Sequence, residues 1–455
     1  MKGEGRKEVM SLCKEIYNKG KWPKEFSEMI MIPIPKKKNT KKCEEFRTIS
    51  LISHIAKILL RTINRRLYAR SNGNIREEQY GFRKGMGTRD AIGLLRVIGE
   101  RYIEKGKKVY ATFIDLEKAF DRVEWKMLMS IIKKHGVEWK ERRLIKELYL
   151  NQKAKVKIGE EISEEIGLGR GVRQGCCLSP TLFNMYLEEI IGECFNGEKG
   201  VNMGGRRVEC IRFADDMVVL SESEDELRNM MQGLNETCKK YGMRINIKKT
   251  KSMILGGKEE TVRVSLKGED IEQVEKFKYL GSWITKDMRC STEIKTRIAM
   301  AKEGFNRKRR LLCGPLEKEL RKRLVKCYIW SVLLYGAETW SLRKEEIKRI
   351  EAMEMWLWRR MEGVRWEDRV TNEEVLKRVG EKRQVIREIK KRKANWLGHV
   401  MRRDCLLRDA IEGTVEGKRM RGRRRVQLMD DVRAGRKYCD IKNLAQNRDA
   451  WRSMS

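Results

Sequence analysis

Two β-rich apolar runs in this chain stop on aspartate. Between 108 and 115, V-Y-A-T-F-I-D places Asp115 at the end of a strand, and C-I-R-F-A-D-D-M-V-V-L (210–220) is broken in its middle by Asp215 and Asp216. A carboxylate at the end of a buried strand is costly to desolvate unless a cation compensates it. Two apolar β segments meeting at adjacent aspartates read as a hairpin that presents both carboxylates at its tip. Alone, an Asp-Asp turn would be an ordinary turn, since Asp is common there. The second strand-borne aspartate changes that reading, because two such sites invite a shared metal. Hard oxygen ligands suit magnesium. Two ions about 3.5–4 Å apart can serve phosphoryl transfer by activating an attacking hydroxyl and neutralising a leaving pyrophosphate. A sheet is therefore expected to bring Asp115, Asp215 and Asp216 together from separate segments.

The partner of such a site is indicated by charge. The 455 residues carry 103 Lys+Arg against 66 Asp+Glu, a formal net charge of +37. A phosphate backbone rewards each neutralised charge with counterion release, whereas a membrane-surface protein would concentrate its charge on an amphipathic helix. No run reaches the ~18 to 20 apolar residues of a membrane span, so no membrane partner is expected. The 12 cysteines include no Cys-x-x-Cys pair and only three histidines are present, which argues against zinc and against a disulfide framework. No signal peptide is read, so a nuclear protein made in the cytoplasm and not secreted is expected.

Four of the five prolines fall in the first 180 residues, and the remainder is expected to be strongly helical. Residues 28 to 35 read as a strand running into the basic cluster Lys36 to Lys38; residues 49 to 67 show helical spacing. After about residue 290 long basic amphipathic helices are expected, with Ile347, Ile350, Met353, Leu357 and Met361 as a core stripe. Seven of the 11 tryptophans follow residue 329, which predicts a packed region rather than a tail. K-R-M-R-G-R-R-R (418–425) reads equally as a nuclear-localisation signal or an RNA-binding arm.

The ordered motifs resemble a family. F-x-D-x-x-K-A-F-D (113–121), R-G-V-R-Q-G-C-x-L-S-P (170–180) and F-A-D-D (213–216) look like the palm of non-LTR (LINE-like) retrotransposon reverse transcriptases. F-R-T-I-S-L-I (46–52) and Q-Y-G-F-R-K-G-M-G-T-R-D-A-I (79–92) resemble their fingers blocks. G-M-R-I-N-I-K-K-T-K (242–251) and F-K-Y-L-G-S-W-I (277–284) resemble the blocks after the active site. The resemblance extends over about residues 20 to 400, through G-A-E-T-W and W-L-G-H-V-M-R-R. It implies an α+β right hand: fingers and palm over 1–289, an α-helical thumb over 290–370, and a basic α-helical nucleic-acid-binding extension over 371–455. It implies an RNA-directed DNA polymerase, a nucleotidyltransferase acting with an RNA template, a DNA primer, dNTPs and two Mg²⁺, and with no small-molecule cofactor.

By the same resemblance, Asp115, Asp215 and Asp216 hold the metal. Phe120 stands against the sugar and excludes a ribose 2′ hydroxyl, or is simply a core phenylalanine. Gln174 and Gly175, in a Gly-rich turn before a helix starting near Ser179-Pro180, contact nucleotide and template, or serve only the turn. Arg47 meets the triphosphate with its guanidinium fork, although the family's Arg-Pro is Arg47-Thr48 here. Lys249 is the general acid near the pyrophosphate, with Lys248 and Lys251 as neighbours that fit the same description, or the three form a solvated basic face. Tyr279, Leu280 and Gly281 form the primer grip, or a packed β-ribbon. No endonuclease segment, Cys-Cys-His-Cys knuckle or RNase H carboxylate set is read, so a truncated copy is expected. Such a copy is read first as a working RNA-templated DNA polymerase; the alternatives are an inactive nucleic-acid-binding remnant and an RNA-templated RNA polymerase, against which Phe120 argues.

Overall fold

The computed structural model describes every residue except Met1, Lys2, Lys38, Asn39, Asn151, Lys258, Glu259, Ala434 and Ser455. Lys38 of the predicted basic cluster thus lies outside the described residues. The chain is α+β. Met29–Pro35 forms the first long strand and pairs antiparallel with Phe46–Leu51, with Ile34 opposite Arg47 and Pro33 opposite Thr48. Its other edge pairs parallel with Lys153–Ile158. Residues 49 to 51 therefore extend a strand rather than begin a helix. Six pairs to Met29–Pro35 outweigh the local helical spacing, and the helix starts only at His54, after Ser53 Oγ accepts the Ala56 N–H at 3.1 Å.

The second sheet has the order Lys251–Leu255, Val109–Ile114, Asp216–Ser221, Cys210–Phe213, all antiparallel. Its pleat divides two cores. Met217 and Val219 face a layer that includes the helices Ser179–Cys194 and Glu224–Lys240. Ala111, Phe113, Val218 and Leu220 face the opposite layer, with the helix Thr88–Glu104. Alternate residues along one strand thus enter different cores, which explains why both runs read as continuously apolar rather than alternating. Strands continue through Lys276–Tyr279 and Ser282–Thr285, so the helical remainder begins at Ser291 and not after Pro180. Scarcity of proline permits helix; cross-strand pairing decided otherwise here.

A third core joins Ser291–Arg307, Lys344–Met361 and Asn372–Val379. The stripe Ile350, Met353, Leu357 and Met361 is buried in it, with Ile347 partly buried at its edge. The helix Val385–Met401 is a strut between cores: Val385 and Ile389 belong to the third, while Ala394, Trp396, Leu397 and Val400 pack under the second sheet. Trp396 seals this junction. Its Nε1 donates to Asp90 Oδ1 at 2.7 Å, and its ring covers Gly93 so closely that a Cβ there would lie 2.7 Å from Cη2. Trp396→Ala should cost about 3–5 kcal/mol and lower the midpoint of a denaturant melt. Gly93→Ala should destabilise through the clash; an unchanged melt for both variants would show that the strut does not hold the sheet.

Candidate active site

The hairpin Cys210–Phe213/Asp216–Ser221 turns on two residues. Asp216 pairs with Phe213, leaving Ala214 and Asp215 as the tip, so Asp216 is the first residue of the returning strand rather than part of the turn. Ala214 adopts φ 57°, a left-handed conformation that costs a non-glycine residue roughly 1–3 kcal/mol. Hydrogen bonds hold it there. Gln79, fully buried, accepts the Ala214 N–H at 3.0 Å and the Gly81 N–H at 2.9 Å on the same Oε1. Tyr80 N donates to Arg212 O and Arg212 N to Glu78 O, both at 2.8 Å. Gly81 lies flat against the turn, and a Cβ on it would stand 2.3 Å from Ala214 N.

Asp115 follows Val109–Ile114 and is braced by the segment after Tyr241. Asn246 N donates to Asp115 O at 2.8 Å, Glu117 N to Arg244 O at 2.9 Å, and Asp115 N to Thr250 Oγ1 at 3.4 Å. The same segment brings Lys249 Nζ within 3.4 Å of Asp115 Oδ2. Burial, then repulsion from Asp115, raises the pKa of Asp215, while Arg47 opposes the rise. Asp216 is pushed up to about 6 by burial and then by Asp215 and Asp115; it keeps solvent contact, which tempers the burial contribution. Three mutually repelling carboxylates favour a cation between them. Among the described residues no three His, Cys, Asp or Glu side chains stand close enough to hold a metal alone. Carboxylate oxygens are hard donors and suit a hard divalent cation.

A cavity of about 1260 Å³ opens over Asp115, Asp215 and Lys249, while Asp216 is not among its lining residues. Asp115, Asp215, Lys249, Arg47, Phe120, Gln174 and Gly175 all line it, with Lys36, Lys37, Lys57 and Arg61 adding positive charge. Phe120 stacks on buried Phe183 at 4.4 Å between centroids and meets Phe82 edge-on at 6.3 Å. It is at once a core contact and a wall of the cavity. Gln174 Nε2 donates to Asp121 Oδ1 at 3.0 Å, and its carbonyl accepts Ser50 N–H at 2.7 Å, tying this turn to the first sheet. Gly175, at φ 100°, faces Ser50 O, where a Cβ would lie 3.1 Å away.

Tyr279, Leu280 and Gly281 do not line the cavity. They close the hairpin Lys276–Tyr279/Ser282–Thr285, with φ 47° at Leu280 and 80° at Gly281, as a type I′ turn requires. Tyr279 is buried beneath the sheet, its hydroxyl pKa held well above the usual range by burial and then by Asp216. Tyr335 Oη donates to Leu280 O at 2.7 Å, Arg297 donates to Gly281 O, and buried Arg96 reaches Ser282 Oγ and Trp283 O at 3.2 Å each. Sequence reasoning gave no role to Gln79, Gly81, Arg96, Arg297 or Tyr335. Gln79 and Gly81 lay inside a recognised block, where a polar residue two before glycine was the available signal.

The reverse transcriptase (RNA-dependent DNA polymerase) family matches residues 34–284, more than half of the chain. Among curated relatives, the Retrovirus-related Pol polyprotein from type-1 retrotransposable element R2 of Nasonia vitripennis is 27% identical over 286 residues, 60% of this chain and 27% of the polyprotein. The RNA-directed DNA polymerase from mobile element jockey of Drosophila funebris is 23% identical over 364 residues, 77% of this chain and 39% of the relative. Each match thus spans well under half of that relative. Apo telomerase from Candida tropicalis superposes with TM-score 0.43 at 14% identity, over 90% of this chain and 74% of the other, a likeness too loose to carry an argument.

The raised Asp216 pKa has a stability consequence. Unfolded, the group titrates near ~3.9; folded, near 6, so between these values the folded chain binds the extra proton and loses stability as pH rises. Without divalent cations, Asp216→Asn should therefore melt higher than the parent at pH 7.5, with the gap shrinking towards pH ~4. Adding Mg²⁺ should raise the parent's melting temperature more than the variant's. A variant that melts lower at pH 7.5 would remove the case for carboxylate repulsion.

Proposed function

The chain belongs to the reverse transcriptase (RNA-dependent DNA polymerase) family, and on that premise we propose that it is an RNA-directed DNA polymerase of a non-LTR retrotransposon, extending a DNA primer with dNTPs on an RNA template. One observation carries this reading: Asp115, Asp215, Arg47, Phe120, Gln174, Gly175 and Lys249, drawn from distant segments, line a single cavity. The net charge of +37 supports polyanionic partners. In the right-hand reading, residues 1–289 are fingers and palm, 290–370 the thumb and 371–455 the extension; the third core's reach to Ile389 supports carrying the thumb into the strut.

Asp115, Asp215 and Asp216 hold divalent cations, Mg²⁺ in this proposal, whose chemistry is to activate the primer 3′ hydroxyl and neutralise the departing pyrophosphate. Arg47, on the edge strand Phe46–Leu51, offers two parallel N–H donors to the triphosphate. Its place opposite Ile34 in regular antiparallel pairing shows that Thr48 in place of proline leaves the strand intact. Lys249 holds a proton on Nζ beside Asp115 and can deliver it to the leaving pyrophosphate. Phe120, stacked on buried Phe183, presents its ring as a wall of the cavity, against which a 2′ hydroxyl on the sugar would clash. The Leu280-Gly281 turn, braced by Tyr335 and Arg297, supports the primer end.

Primer extension on poly(rA)/oligo(dT) with Mg²⁺ tests the reading. The parent should extend, and Asp215→Asn should abolish synthesis while RNA affinity is nearly unchanged. Absence of extension by the parent, with RNA binding retained, would favour an inactive remnant. Phe120→Val should raise rNTP incorporation roughly tenfold or more; an unchanged dNTP preference would reduce Phe120 to a core residue.

A further inference from the structure

The arginine-rich stretch 418–425 does not line the cavity, yet it is not a free arm. Met420 N donates to Glu104 O at 3.2 Å, and Arg419 Nε stands 3.6 Å from the Glu104 carboxylate. Arg425 Nη2 donates to Asp287 O at 2.6 Å, and Arg424 pairs with Asp430 at 2.8 Å. Gln427 and Leu428 follow at once and are buried, with Leu428 N on Glu100 Oε2 at 3.1 Å. The stretch is thus clamped across the turn Lys105-Gly106-Lys107: the Met420 side chain lies over Gly106, and Gly417 sits beside Lys105 and Lys107.

Of the acids here, Glu104 and Asp430 pair with the stretch, Asp287 offers it a backbone carbonyl while its own carboxylate lies by Arg289, and Glu416 stands at its edge. Lys418, Arg421 and Arg423 remain exposed and form no ion pair among the described residues; neighbouring Lys105 and Lys107 are half-buried and likewise form none. Position separates this ledge from the active site. The Lys105–Lys107 turn feeds Val109–Ile114, whose far end carries Asp115, and six residues of strand span about 20 Å.

We propose that this ledge is a second nucleic-acid site, which grips a phosphate backbone about 20 Å from the catalytic carboxylates while the cavity holds the primer end. Fixed, separated cations read backbone rather than base sequence, so the ligand is a single strand or duplex without sequence preference. The ledge rests on the polymerase reading only for what the gripped strand then does. A nuclear-import receptor fits it less well, because seating the stretch in a receptor groove would require stripping it from Glu104, Asp287 and the buried residues that follow.

The test compares the full chain with a Lys418→Gln/Arg421→Gln/Arg423→Gln variant by fluorescence anisotropy on RNA and on DNA of the same sequence, from about 50 to 200 mM salt. Three lost phosphate contacts should flatten the slope of log K against log salt by about two for a single strand, while the melting temperature stays unchanged. Loss on RNA assigns the ledge to the template, and loss on DNA alone to a target or primer strand; either supports it. A control carrying Arg6→Gln, Lys7→Gln and Lys14→Gln removes the same charge from the N-terminal helix Glu4–Lys19 and should change the slope less. Equal effects of the two triples, or an unchanged slope in the ledge variant whether or not nuclear entry is lost, would overturn the proposal. If the parent proves unable to polymerise but the slope still flattens, the ledge stands and only the polymerase reading falls.

Discussion

A single carboxamide oxygen organises the centre of this molecule. Gln79 Oε1 accepts from Ala214 and Gly81 at once, fixing a strained turn to the segment that passes beside it. Left-handed backbone at an alanine persists only where its surroundings over-determine it. Here they do: Asn184 Nδ2, from the helix Ser179–Cys194, donates to Gly81 O at 2.9 Å, and buried Arg212 pairs with Glu188 of the same helix at 2.9 Å. The segment around Gln79, the Asp215 hairpin and the helix are thereby locked together, and Asp215 is directed into the cavity. Removing one partner of the Arg212–Glu188 pair would strand a buried charge, which makes this junction sensitive to single changes.

The second sheet extends that order outward. One face rests on Ser179–Cys194 and Glu224–Lys240, the other on Thr88–Glu104 and the C-terminal strut, so its strands are held from both sides. The helix Thr88–Glu104 touches two functional edges. Thr88 Oγ1 lies 3.4 Å from Tyr335 Oη, which itself holds the Leu280-Gly281 turn, and the other end carries Glu104, which anchors the arginine-rich ledge. A helix buried from Ala91 to Glu100 sets a fixed distance between these two edges.

How much of this was legible in the sequence depended on the range of the interactions. The strands ending on Asp115 and flanking Asp215 were readable because burial on both faces writes a continuous apolar run, and the stripe Ile350, Met353, Leu357 and Met361 because helix periodicity is local. Residues 49 to 51 misled, since their pairing with Met29–Pro35 is settled by the partner strand and not by their own spacing. The hairpin tip fell one residue earlier than the Asp-Asp pair suggested; the pairing register, invisible locally, placed Asp216 opposite Phe213. The bonds of Gln79 to the Ala214 turn, though Gln79 lay inside a recognised block, and the Trp396 contact with Gly93 join segments more than a hundred residues apart, so local spacing did not reveal them. The arginine-rich stretch read as an arm because composition reports charge but not the acids that pin it.

The measurement that bears most directly on the centre is divalent-cation binding by the parent and by Gln79→Leu, followed by titration calorimetry with Mn²⁺ and Mg²⁺. Gln79→Leu keeps a similar volume but withdraws the acceptor that holds Ala214 and Gly81. If the turn positions the carboxylates, the variant keeps its circular dichroism spectrum and binds cations about tenfold more weakly or worse, a loss of roughly one hydrogen bond's energy. Equal affinity in the two proteins would mean that Asp115, Asp215 and Asp216 are placed without Gln79, and would contradict the account.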